Sequence, residues 1–396
     1  MFTILQGGRG KNEMKVIAYY SKDLKKRGPC VLSARNKLDY LIGALIANGE
    51  NASVLSLCDR SLVGRDLEEE KEIAAGGFEV LYRRCTCRKN KTVERIGRLF
   101  SAFTRATIAF LKKKVENNET ILLYHATNTL PILRFLKKKK NARIILEVEE
   151  IYGDVSHDAK LRKKEWKAFE LADGFIFASE LLNEKINTAK KPYAVAYGTY
   201  RAEAEGAGSA DRADAKDEVH CVYAGTFDPR KGGAAAAVAA AEFLPPNYRV
   251  HIIGFGSEKE KADLIAMIAD VQQKTKARVT YDGLFAGKEY TDFIQSCDIG
   301  LSTQTPDGVY NDTSFPSKIL SYLANGLRVV SVRIPVVERS EIGNLVGYYD
   351  KQDPREIAAA IGRVDFGAPF DGRGAIEKLD EEFKTRLKEV LEKVEG

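Results

Sequence analysis

The chain has 396 residues, 44% of them hydrophobic and 30% charged; that length fits two domains, and that balance excludes a globally disordered chain. No stretch reaches the ~20 consecutive apolar residues that a bilayer-spanning helix needs. The formal net charge of +6 conceals two opposed halves: residues 14–197 carry 35 Lys+Arg against 23 Asp+Glu, and residues 198–396 carry 25 against 32, which points to two domains facing different partners.

Residues 1–13 read as a disordered leader, without the basic region, apolar core and small-residue cleavage site of a secretion signal. MKVIAYY (14–20) reads as a buried strand, followed by the basic loop SKDLKKRG. Residues 35–48 place apolar side chains at helical spacing and stop at Gly49. NASVLSL (51–57) and GFEVLYRR (77–84) are the next strands, and 91–114 is a long basic amphipathic helix. TILLYHA (120–126) is a strand, 130–140 a helix and ARIILEVEE (142–150) a strand. A helix near 158–172, strand 174–179, helix 180–187 and strand 192–198 complete the half. Residues 199–218 are small, charged and aperiodic, and read as a linker.

The pattern then restarts. HCVYAG (220–225) is a strand, GGAAAAVAAAEFL (232–244) a helix, and YRVHIIGFG (248–256) a strand running into a tight turn. Helix 257–275, strand 277–283, helix 290–297 and strand 298–304 follow. FPSKILSYLANG (315–326) runs from loop into helix, strands cover 327–332 and 346–350, and helices 354–363 and 373–395 close the chain. Strands alternating with helices at this spacing predict an α/β fold of two doubly wound parallel sheets. The domains expected are 14–198 and 219–370, with 371–396 as a helix crossing a domain surface. Ligands in such sheets sit beyond the carboxyl ends of strands, so the site is expected in a cleft between the domains.

Six cysteines, mostly in apolar contexts, fit a reducing compartment. Cys85 and Cys87 have no histidine or second cysteine pair nearby, which argues against a zinc site.

Gly225-Thr-Phe-Asp-Pro-Arg230-Lys231-Gly232 links a strand to a helix. Glycines there let backbone approach a ligand, and Arg230 and Lys231 add positive charge beside a helix N-terminus, which favours anions. The same pattern also suits a plain turn with a solvated basic pair. Gly254-Phe-Gly256 is half of a dinucleotide fingerprint, since Lys259 stands where the third glycine belongs. Pro316, Ser317 and Lys318 open another helix and make a second anion site.

These three elements, in this order over about 130 residues, resemble the donor half of family 4 glycosyltransferases. The shared pattern is Gly225…Lys231-Gly232, Gly254-x-Gly256 and Pro316-Ser317-Lys318-x-x-x-Tyr322-Leu323-Ala324-x-Gly326. The resemblance implies the GT-B fold, with a nucleotide-sugar donor domain in the second half and an acceptor domain in the first. It implies retaining transfer of a hexose from a nucleotide diphosphate sugar, without an essential metal or cofactor. Lys231 and Lys318 hold the positions that recognise the donor diphosphate, beside Gly225, Arg230, Gly232, Pro316 and Ser317. Gly254, Gly256, Asp312 and Thr313 fall to the donor base and sugar. The family's two glutamates are replaced by Thr313 and Ser321, with Asp312 the candidate substitute for the first, and its arginine after the first glycine is Thr226.

In the first half, His125 and Glu149 follow strands and are the candidates for the reacting sugar or the acceptor hydroxyl. Glu150, Lys26 and Gly28 are expected on the acceptor side. His125 and the two glutamates have bland counterparts: a capped or buried histidine, and solvated acids at a strand end. Helix 91–114 sets Ile96, Leu99, Phe100, Phe103, Ile108, Phe110 and Leu111 beside Arg95, Arg98, Arg105 and Lys112–Lys114. It reads either as a solvated face or as a peripheral contact with an anionic membrane carrying a lipid-linked acceptor. The expected setting is the cytoplasm or the inner membrane face, in polysaccharide synthesis. A UDP-sugar is favoured over a GDP-sugar, and no nucleic-acid partner is expected. A nucleotide-sugar 2-epimerase of the same fold and a non-catalytic binding module are the alternatives.

Overall fold

The computed structural model describes residues 13–21, 32–59, 71–83, 98–206, 217–308, 311 and 313–396. The leader, the loop carrying Lys26 and Gly28, the middle of the linker and Asp312 lie outside these residues. The chain divides into two compact units interleaved in sequence. The first holds residues up to 178, 182–196 and 382–396; the second holds 179–181 and 197–381.

The first unit is built on eight strands: β1 (Glu13–Ala18), β2 (Asn51–Asp59), β3 (Lys71–Ile73), β4 (Glu79–Arg83), β5 (Thr120–Tyr124), β6 (Arg143–Val148), β7 (Gly174–Phe177) and β8 (Tyr193–Val195). Their order is β3-β4-β2-β1-β5-β6-β7-β8. All pairs are parallel except β3 with β4, a three-residue edge strand not anticipated from the sequence. The winding direction reverses between β1 and β5. The near-continuous apolar runs fit strands covered on both faces: Ile17, Leu55, Ile121, Leu123, Ile144 and Leu146 all lie in one core.

Helix Arg98–Lys114 supplies Phe110 and Leu111 to that core, at 7% and 0% exposure. Those two residues therefore serve the interior rather than an outward apolar face. Arg95 and Ile96 lie outside the described residues, and of Arg98, Leu99, Phe100 and Phe103 only the helical backbone is described. No helix among the described residues is long and apolar enough to cross a membrane.

The second unit has six strands: β9 (Val219–Thr226), β10 (Tyr248–Phe255), β11 (Arg278–Gly283), β12 (Ile299–Ser302), β13 (Arg328–Val332) and β14 (Val346–Tyr349). Every pair is parallel, in the order β11-β10-β9-β12-β13-β14. The direction reverses between β9 and β12, where strands paired only at Ile299↔Cys221 and Gly300↔Val222 part toward their carboxyl ends. A side chain fills the missing rung. The Ala224 N–H donates to the Tyr322 phenol oxygen (2.8 Å), which donates to the Leu301 carbonyl (3.3 Å).

Tyr322 is fully buried, so Tyr322→Phe strands a buried donor and a buried acceptor. We expect it to cost about 1–3 kcal/mol, seen as a lower urea midpoint with faster deuterium exchange at Ala224. An unchanged midpoint would show the bridge to be dispensable.

Candidate functional site

In an open α/β sheet, ligands collect outside the carboxyl ends of strands where the winding reverses. In the second unit that point lies beyond β9 and β12. The loop after β9 carries Lys231, and the segment after β12 leads to Lys318 at the start of helix Ser317–Ala324. The two loops are tied together: Thr305 N–H donates to the Lys231 carbonyl (2.9 Å), and the Thr303 hydroxyl donates to the Gly233 carbonyl (2.7 Å). Gln352 donates to the Thr303 carbonyl (2.9 Å). The segment ahead of Lys318 is braced through Asn311, whose amide donates to the carbonyls of Thr305 (2.7 Å) and Pro306 (2.9 Å). The Ser179 hydroxyl donates to the Thr313 carbonyl (2.9 Å), and Tyr197 stacks on Phe315 at 4.8 Å.

Lys318 is half-buried. Its Nζ lies 3.9 Å from the centroid of the Tyr223 ring, over the ring face. Among the described residues no carboxylate pairs with it. Burial first, and then the like charge of Lys231, pull its pKa down to about 7. Two ammonium groups within electrostatic reach of each other, one of them desolvated, form a site that an anion would relieve. The glycines make room for it. A Cβ on Gly225 would sit 3.2 Å from Lys318 Nζ, and one on Gly233 would sit 2.7 Å from the Tyr223 ring. Gly232 takes φ +65° at the N-cap of helix Gly233–Ala240, a conformation glycine adopts without strain. Neither Gly232 nor Pro316 carries a side-chain cap bond, leaving first-turn N–H groups for a ligand.

Arg230 is placed differently. Its guanidinium is 88% exposed and bonded to Asp228, whose carboxyl it holds down at about 2. Its charge is thus answered within its own turn. Gly254 and Gly256 close β10 beside this loop: Gly254 is in register with Gly225, and a Cβ on Gly256 would sit 3.0 Å from Phe227 Cβ. Ser321, at the position of the second family glutamate, meets Tyr290 at 3.1 Å.

In the first unit His125 follows β5 and is 2% exposed. Its Nε2 lies 3.0 Å from Glu165 Oε1, and its ring packs against Tyr152 and Phe169. Burial lowers its pKa to about 3, so the ring is neutral. Glu165 also accepts the Tyr152 and Gly153 N–H groups, so this pair anchors the turn after β6. Glu149 and Glu150, just past β6, are half-buried. Glu149 Oε1 accepts from the Tyr124 phenol (2.7 Å) and pairs with Lys37 Nζ (2.9 Å). Lys37 and Tyr223 were not singled out from the sequence. An isolated lysine on an amphipathic helix and a tyrosine in a strand give no sign of their partners. The one signal was Glu147, an acid inside the apolar strand RIILEV, which burial obliges to find a partner.

No protein-family model matches this chain, and no curated protein matches it in sequence. Solved structures do match over nearly the full length of both chains. Anabaena HepE in complex with UDP superposes with a TM-score of 0.65 at 14% identity, covering 96% of this chain and 99% of that one. The N-terminal domain of Candida albicans trehalose-6-phosphate phosphatase gives 0.64 at 11%, covering 98% and 99%. The trehalose-6-phosphate synthase OtsA gives 0.61 at 13%, covering 96% and 97%.

Proposed function

We propose that this protein, whose fold is GT-B with two Rossmann-like units each built on a doubly wound sheet, is a retaining glycosyltransferase. It moves a hexose from a nucleotide diphosphate sugar to a glycan or lipid-linked acceptor, in polysaccharide or cell-envelope synthesis. The observation that carries the reading is the desolvated Lys318 ammonium with Lys231 in reach, between two uncapped helix starts at the β9/β12 reversal. A UDP-sugar is the favoured donor, supported by the HepE complexes with UDP and with UDP-glucose.

The chemistry follows from charge. As the glycosidic C–O bond breaks, the diphosphate gains negative charge and the sugar ring becomes oxocarbenium-like. Lys318, Lys231 and the first-turn N–H groups meet that developing charge better than they meet the ground state. They do so without a metal. Glu149 receives the acceptor hydroxyl.

Incubation with a panel of nucleotide sugars and acceptor sugars tests the reading, with nucleotide diphosphate release and transferred sugar as the expected result. An isomerised donor would replace it with epimerisation, and binding without turnover with a binding module.

The depressed Lys318 pKa gives a second expectation. Above about pH 7 the empty site holds Lys318 largely neutral, while a bound diphosphate favours the ammonium. UDP binding should therefore take up a proton at about pH 8, and affinity should fall as pH rises through about 7. Calorimetry in buffers of different ionisation enthalpy measures the uptake. Equal heats in all of them would remove Lys318 from the diphosphate.

A further inference from the structure

Three helices cover one face of the first sheet: Arg98–Lys114, Thr129–Lys140 and Ala159–Phe169. Leu111, Leu133, Leu136 and Phe169 anchor them in one core with Ile121 and Ile144 of β5 and β6. Helix Thr129–Lys140 packs against both of the others. Each of the three carries five Lys or Arg. The one acid among them is Glu165, which is buried and engaged by His125 and two backbone N–H groups. The positive surplus of the first half is thereby located: outside these helices, residues 14–197 hold 20 Lys+Arg against 22 Asp+Glu.

Local causes account for only part of this charge. Lys137 pairs with Asp173 at 2.7 Å, and Arg162 with Asp154 at 3.0 Å. The Lys140 ammonium donates to the Lys112 carbonyl at 3.1 Å, tying two lysine-rich helix ends together. Cations in a last turn complement the helix dipole, which suits Lys112–Lys114 and Lys137–Lys140. That reason fails for helix Ala159–Phe169, where the charge begins at Lys160 in the first turn. There Lys160 and Lys164, and Lys163 and Lys167, are like charges four residues apart, a spacing that costs a helix stability. Asp158, at its N-cap, lies within electrostatic reach of Lys160 and Lys164. Lys112, Lys113, Lys138, Lys139, Lys163 and Lys167 are exposed, with no carboxylate at ion-pair distance among the described residues.

We propose that this face is a docking surface for an anionic lipid bilayer. Three helices side by side make an area roughly 30 Å by 20 Å. Charge spread over an area matches a charged plane better than it matches a single strand lying in a groove. Nucleic-acid bases call for aromatic platforms, yet no large apolar or aromatic side chain described on these helices is exposed. The same observation makes the contact adsorptive: the cations reach the headgroups while the apolar sides of the helices stay on the sheet. Each Lys or Arg held near such a surface is worth roughly five-fold in affinity, so several together suffice without an inserted helix. The proposal is independent of the transferase reading.

Cosedimentation with lipid vesicles tests it. The wild type should bind vesicles of phosphatidylcholine mixed with phosphatidylglycerol and leave those of phosphatidylcholine alone. Raising NaCl from about 0.1 M to about 0.5 M should release it, because screening shortens the reach of the charges. The variant with Lys138→Gln, Lys139→Gln, Lys163→Gln and Lys167→Gln should bind ~100-fold or more weakly. A variant with only Lys138→Glu and Lys163→Glu makes the same change in net charge at two positions, and should lose ~10-fold or more. Urea unfolding of both should show midpoints no lower than that of the wild type, since like charges have been separated. Lys276→Glu with Arg278→Glu, the same charge change placed in the second unit, should keep binding near the wild-type level. Failure of the wild type to bind anionic vesicles, equal binding to neutral ones, or binding that survives the salt would overturn the proposal. So would patch variants that bind like the wild type, or a second-unit control that falls as far as they do. Retention of duplex DNA or heparin without retention of anionic vesicles would assign the face to a soluble polyanion instead.

Discussion

Lys318→Ala is expected to lower turnover of a nucleotide sugar by ~100-fold or more, the usual scale for deleting one preorganised charge at a developing anion. The reason lies in its surroundings. Its ammonium rests on the Tyr223 ring, out of bulk water, with no carboxylate partner among the described residues and with Lys231 close enough to depress its pKa. A cation held in this state is poorly satisfied until an anion arrives, and it gains most as the leaving diphosphate collects charge. The loss should therefore fall on kcat more than on donor KM. Lys231→Ala should lose turnover on the same scale. Steady-state kinetics on each variant decide this, and a wild-type kcat in either would detach that lysine from the diphosphate.

Gly254→Ala should be the most damaging small substitution in the second unit. Gly254 sits at φ +131°, and a Cβ there would lie 1.8 Å from the Gly225 carbonyl oxygen. That contact is with backbone, so no rotamer relieves it, and β9 and β10 would have to separate where the Gly225–Gly232 loop begins. The cost expected is about 3 kcal/mol or more, with UDP affinity falling alongside. Gly43→Ala is the matched control. It lies within helix Leu32–Ala47 with nothing within 4 Å of the added Cβ, and should stabilise by about 0.5–1 kcal/mol. Urea unfolding of both separates steric conflict from a generic effect of losing glycine. Equal midpoints would refute the close-approach argument.

Much of this architecture is legible in the sequence, because alternating apolar runs and helical spacing have few solutions other than doubly wound sheets. The special backbone of Gly232 and Gly254 is legible too, since tight turns need residues that tolerate positive φ. What was not legible is whatever depends on neighbours distant in the chain. Tyr322 reads as a core aromatic in an amphipathic helix, and only the parting of β9 from β12 gives its hydroxyl a task. Arg230 reads as a second phosphate ligand, but Asp228, two residues away, engages it. His125 reads as a rare and therefore suggestive histidine, whereas Glu165, 40 residues on, buries it. Lys37 finds its partners more than 100 residues away.

The closing helix, Gly372–Glu395, has a consequence for biosynthesis. Its residues from 382 onward count with the first unit. Phe383 packs against Tyr40, Asn48 donates to the Lys384 carbonyl at 2.8 Å, and Val390 and Val394 close over Gly174. The half translated first thus lacks part of its interior until the ribosome has passed residue 390. Domains generally fold in order of synthesis, but here the earlier one must wait for the later, with its apolar flank uncovered meanwhile. Release of the nascent chain before the final two turns should therefore send it toward aggregation rather than to a smaller folded protein.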